Sequence, residues 1–111
     1  TVAQQLAAYP DIEPLNSALP AEQAFDTALA VGQAMGWEII AQDKAGGIIE
    51  AVDTTAIMAF KDDVVIRITA SGSGSVIDLR SVSRVGVSDL GANAKRIRAF
   101  IEQFNSAAAA S

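Results

Sequence analysis

The stretch DDVVIRITASGSGSVIDLRSVSRV, residues 62–85, constrains the fold more than any other part of the chain. Apolar and polar residues alternate on both sides of SGSG, the period-two pattern of a half-buried strand pair and not of a helix. With the turn centred on Gly72 and Ser73, Ile66 falls opposite Leu79 and Ile68 opposite Ile77 on one face. The other face then carries Asp63, Val65 and Arg67 against Val82, Arg80 and Asp78. Arg67 and Asp78 become cross-strand neighbours, and Asp63 lies diagonally from Arg80. Such a hairpin needs an apolar layer over one side only.

Two helices can supply that layer. From Pro20 to Met35, Phe25, Ala28, Leu29, Gly32 and Met35 fall on one helical face, with Pro20 suited to the first helical position and Gly36 to the residue past the end. A second helix is predicted from about Asp89 to Phe104, where Leu90, Ala94, Ile97, Ile101 and Phe104 form the apolar stripe with Phe100 beside it. Asp89, Asn93 and Arg96 make a polar stripe at its edge. WEIIAQD and GIIEAVDTT read as another hairpin around Asp43 to Gly46. Its adjacent pairs Ile39–Ile40 and Ile48–Ile49 leave the buried face open. Trp37 reads either as core edge or as a surface aromatic for ligand stacking.

The order is α-β-β-β-β-α, and the economical architecture is an α+β two-layer sandwich: a four-stranded antiparallel sheet of two hairpins with both helices on its apolar face. The opposite face would be charged and solvated. All three prolines, Pro10, Pro14 and Pro20, lie in YPDIEPLNSALP, so residues 1–19 read as an extended arm pinned by Tyr9, Ile12 and Leu15. Residues 20–105 form the single domain that a chain of 111 residues has room for. The alanine-rich end, 106–111, has nothing to bury and is expected to be disordered.

Composition excludes several kinds of chemistry. There is no cysteine and no histidine, which removes disulfides, thiol nucleophiles, the usual zinc ligands and the Ser-His-Asp triad. A net charge of −5 argues against general nucleic-acid binding. The charge is uneven: residues 1–60 hold eight acids and one base (Lys44), residues 61–111 five acids and seven bases, so a local cationic patch can exist on an acidic protein. No apolar run of spanning length occurs, so no transmembrane segment is expected in this chain. It starts at Thr1 without methionine or a signal-like apolar run, the pattern of a processed product or of a soluble domain cut from a longer protein.

Five of the eight basic residues fall in RSVSRVGVSDLGANAKRIRAF, residues 80–100. Gly86 and Gly91 have the gap of a phosphate-binding P-loop, but Ala92 and Asn93 stand where lysine and a hydroxyl are required. Nucleotide binding of that type is rejected, and no cofactor is expected. Ser88 as N-cap would leave helix-start amides near an anion, with Arg80, Arg84 and Arg96 supplying forked donors. In the alternative, Ser88 and Asp89 serve the helix itself while the arginines pair with Asp62, Asp63 and Asp78, since ion-pair networks commonly mimic sites. Adjacent strand residues point to opposite faces, so Asp62 and Asp63 do not converge on a metal, and none is expected.

Periodicity divides the stretch in two. Arg80 and Arg84 project from the helix-free face with Asp63, Arg67 and Asp78, a charged ladder. Ser81 and Ser83 point toward the helices, where Asp89, Asn93 and Arg96 can meet them in a polar knot.

FKDDVVIRI, residues 60–68, followed by DLRSVSRVGVSDLGANAKRIRAF, residues 78–100, resembles the bacterial and plastid family called domain of unknown function 1499. The likeness extends to YPDIEPL and GWEII, and the matching positions are Asp62, Asp63, Arg67, Arg80, Ser81, Ser83, Arg84, Gly86, Ser88, Asp89, Leu90, Gly91, Asn93, Arg96 and Ile97. Val87 departs from it, since many relatives have a basic residue there. The family's activity is not established, so the resemblance implies no catalytic role. Its members often follow membrane-spanning helices or export signals, which implies a cell-envelope domain, on the periplasmic face, of a longer or exported protein. A weaker local similarity to helix-grip modules of envelope assembly machinery implies docking to other proteins.

Two function classes follow. The favoured one is a non-catalytic envelope domain that binds a protein partner or a small anionic or amphipathic ligand. Its candidate contacts are Arg80, Ser81, Ser83, Arg84, Ser88, Asp89, Asn93 and Arg96, with the charged face of Asp63, Arg67 and Asp78. The other is a hydrolase-like enzyme using Asp or Ser chemistry supported by the arginines. The chain offers no converging nucleophile–base pair for it.

Overall fold

The structure, a computed structural model, describes residues 14–54, 61–83 and 90–110; for Ser83, residues 90–94 and Ala110 the description is of backbone only. The elements run β1 (Leu15–Ser17), α1 (Ala21–Ala34), β2 (Glu38–Asp43), β3 (Ile48–Thr54), β4 (Lys61–Ser71), β5 (Gly74–Ser83) and α2 (Leu90–Ala110). One antiparallel sheet has the order β1-β5-β4-β3-β2. The α+β class and the two hairpins are as expected, but the sheet has five strands, not four.

The fifth strand comes from the segment expected to be a plain arm. Between Pro14 and Pro20 every residue keeps its backbone N–H, and Leu15, Asn16 and Ser17 pair with Ile77, Val76 and Ser75. The approach is possible because residue 74 is glycine: a Cβ there would collide with the Ser17 carbonyl. The buried Ser75 hydroxyl donates to the Leu19 carbonyl at 2.8 Å, and Leu19 N–H donates to Ser17 Oγ at 3.1 Å. Residues 1–13, with Tyr9 and Ile12, lie outside the described residues.

The second hairpin has the register its alternation predicts, with Ile66 opposite Leu79, Ile68 opposite Ile77 and Gly72 in the left-handed region at the turn (φ 60°). Its inward side chains join Ile49 and Ala51 of β3 in one buried cluster with Ala24, Phe25, Ala28 and Val31 of α1 and Ile97, Phe100 and Phe104 of α2. Both helices therefore cover the same face. Burying each large side chain of that cluster is worth about 1.5–3 kcal/mol.

Pro20, with φ −57° and ψ 154°, caps α1 instead of occupying its first turn. The helix ends at Gly36, φ 85°, where Gly36 N–H bonds the Gln33 carbonyl and Trp37 N–H the Gly32 carbonyl. That pair of bonds is a Schellman closure, and it turns Trp37 back into the core. Trp37 is buried and stacks on Phe100 with centroids 5.6 Å apart. A bulge between Ile39 and Ala41 resolves the adjacent isoleucines, with Ile39 packed on the core and Ile40 exposed. On β3 it is Ile49 that is buried.

Helix α2 continues to Ala110, beyond the end expected at Phe104. Ala107 and Ala108, assigned from sequence to a disordered tail, pack against the core. Alanine is the best helix former, and these two extend the row begun by Phe100 and Phe104 at helical spacing.

Candidate functional site

The two faces of the sheet carry two different polar assemblies. On the helix side, Arg96 Nε donates to Asp53 Oδ2 at 2.7 Å, Nη2 to Asp62 Oδ2 at 2.7 Å, and Nη1 to Ser81 Oγ at 2.9 Å. The side chains of Arg96 and Asp62 are 6% and 5% exposed, that of Asp53 25%. Asp53 and Asp62 stand directly opposite on β3 and β4, where like charges repel. One forked guanidinium between them turns that repulsion into two charge-assisted bonds.

The helix delivers Arg96 because Arg96, Phe100 and Phe104 are spaced at i, i+4 and i+8 on one line of α2. Phe100 and Phe104 are fully buried while Ile101 is only half-buried. The buried face is thus centred nearer Phe100 than the stripe read from sequence, and the rotation draws Arg96 inside.

Of the residues singled out for the knot, the structure brings together Arg96 and Ser81. Asp62 was named only in the alternative reading, as a pairing partner of the arginines, and Arg96 does pair with it; Asp53 was missed. The signal for Asp62 was strand parity: Val64, Ile66 and Ile68 point inward, so Asp62 must as well. For Asp53 the same rule needed the register of the first hairpin. Arg84, Ser88 and Asp89 lie outside the described residues, and the side chains of Ser83 and Asn93 are not described.

On the face turned away from α1 and α2, Arg67 stands opposite Asp78 and Val65 opposite Arg80, with Asp63 opposite Val82. Arg67 and Arg80 are therefore diagonal neighbours, as are Asp63 and Arg80. Both arginines are exposed and Asp78 is half-buried. Among the described residues, neither arginine side chain makes a hydrogen bond or ion pair, and the Asp78 side chain makes none either. A concavity of about 340 Å³ opens here, lined among the described residues by Val65, Arg67, Asp78, Leu79 and Arg80. Val65 and Val82 add exposed apolar surface, 37% and 45% accessible.

A family model described as "Protein of unknown function (DUF1499)" matches residues 1–104. The chain belongs to the DUF1499 family. No curated protein matches this DUF1499 chain. Among solved structures it is similar in fold to the crystal structure of Ara h 8.0201, with a TM-score of 0.51 and 10% identity over 89% of this chain and 96% of that one. At that identity the likeness concerns the fold alone.

For this DUF1499 domain the two assemblies offer different chemistry. The knot's arginine is bonded to protein oxygens, and its buried carboxylate is out of a solute's reach. The described residues contain no group of three or more acidic side chains able to hold a metal, and no described helix is long and apolar enough to cross a membrane. The open face presents guanidinium donors to solvent beside apolar surface.

Proposed function

We propose that the protein is a non-catalytic binding domain of the cell envelope whose sheet face turned away from α1 and α2 takes an anionic, partly apolar ligand or partner segment. The observation that carries this reading is the concavity at Val65, Arg67, Asp78 and Arg80, where two exposed arginines without protein partners among the described residues adjoin exposed valines. Concave surface with apolar walls and a few convergent polar groups is the usual form of a ligand site. The envelope assignment rests on the family resemblance.

A hydrolase using Asp or Ser chemistry finds no support in the knot. A general base must come within hydrogen-bond reach of its substrate, whereas the Asp62 side chain is 5% exposed and bonded to Arg96. Ser81 Oγ accepts from the same guanidinium, which draws electron density from a would-be nucleophile.

Thermal unfolding in the presence of anionic amphiphiles, simple carboxylates and phosphate tests the binding reading. A concentration-dependent rise in Tm with the amphiphiles, lost in Arg80→Ala, is expected. No rise with any of them would contradict it. Fractionation of cells producing the tagged full-length protein tests the location, with recovery in the envelope expected and a purely cytosolic distribution contradicting it.

A further inference from the structure

We infer that Arg67 and Arg80 form a two-point clamp for a singly charged carboxylate, with its apolar tail lying over Val65 and Val82. The inference rests on the binding reading above and names the ligand class of the same face. Register places Arg67 and Asp78 on one rung and Val65 and Arg80 on the next. The two arginines thus sit on a cross-strand diagonal of about 7–8 Å, their Cβ atoms somewhat closer, a span that two long guanidinium side chains can close onto one carboxylate. Forked donors match a planar carboxylate better than ammonium groups do.

Charge sets the class. The four residues of this diamond, Val65, Arg67, Asp78 and Arg80, carry two formal positive charges and one negative, a complement for one negative charge. Glu50, opposite Val65 on β3, and Asp63, opposite Val82 on β5, border the diamond on the same face. A doubly charged headgroup would meet Asp78 within the lining and Glu50 at its border. Val82 follows Arg80 along this face and is 45% exposed, so the apolar tail of a ligand held by the arginines has surface to lie on.

Asp78 is then the selectivity element. It stands in register with Arg67 yet makes no ion pair with it, so its charge remains to repel a second negative charge on the ligand.

Calorimetric titration of the folded protein at pH 8 with decanoate, decyl phosphate and decanol, below their aggregation thresholds, tests the clamp. At that pH the phosphate monoester is essentially a dianion. Decanoate should bind more tightly than decyl phosphate, and decanol should not bind. Arg67→Ala and Arg80→Ala should each weaken decanoate about tenfold, the size expected for losing one charge-assisted bond. Asp78→Asn should narrow the gap between decanoate and decyl phosphate about tenfold. Arg67 and Arg80 are exposed and Asp78 is half-buried, and circular dichroism will verify folding of each variant. Decanoate affinity unchanged in both arginine variants, or tighter binding of decyl phosphate to the wild type, would overturn the clamp while leaving the binding reading in place. Failure of every amphiphile to bind would overturn the clamp and the small-ligand form of that reading together.

Discussion

On the helix side of the sheet, Arg96 reaches Asp53 and Asp62 at 2.7 Å each and is almost sealed from water. On the far side, Arg67 stands in register with Asp78 but forms no ion pair among the described residues. The residue types are the same and their surroundings differ. A buried guanidinium cannot stay without partners, because desolvation costs several kcal/mol per ion unless hydrogen bonds replace water. An exposed guanidinium keeps its hydration and gains little from pairing. The helix layer thus fixes Arg96 as scaffold and leaves Arg67 and Arg80 available.

The comparison breaks most readily at Arg96. Arg96→Met leaves two opposed carboxylates facing the core and should cost about 3–5 kcal/mol, read from urea unfolding. Replacing the trio together with apolar side chains of similar volume should recover most of that loss. If the single and triple variants are equally unstable, the knot's role is packing and not charge balance.

Asp62→Asn should follow, at about 2–4 kcal/mol, since it removes one partner of a buried pair. Asp53→Asn should cost less, about 1–2 kcal/mol, because its side chain is a quarter exposed and water can replace part of the loss. Equal costs would mean that exposure does not grade the knot.

The open face should yield the smallest effects. Arg67→Ala and Arg80→Ala should each change stability by less than about 0.5 kcal/mol in the same urea experiment. A loss of more than about 1 kcal/mol in either would place that arginine in the scaffold with Arg96.

Much of this division was legible in the sequence. The alternation around Gly72 sets the β4–β5 register, and with it which charges share a face. Arg96 and Ser81 were placed together by combining helical and strand periodicity. Asp53 was not legible, because Ile48 and Ile49 are both apolar and the β2 bulge at Ile40 erases the alternation that would have fixed β3. The fifth strand was hidden by Pro14 and Pro20: they mark extended chain, and pairing with β5 depends on the absent side chain at Gly74. The packing of Ala107 and Ala108 was missed because alanines have little apolar surface, and their position one turn beyond Phe104 is what brings them to the core.

The division between scaffold and binding face can be read directly from the arginine Nε–Hε resonances of labelled protein titrated with decanoate. The signals of Arg67 and Arg80 should move with ligand while that of Arg96, bonded to Asp53, stays in place. Movement of the Arg96 signal with those of Arg67 and Arg80 unmoved would contradict the account.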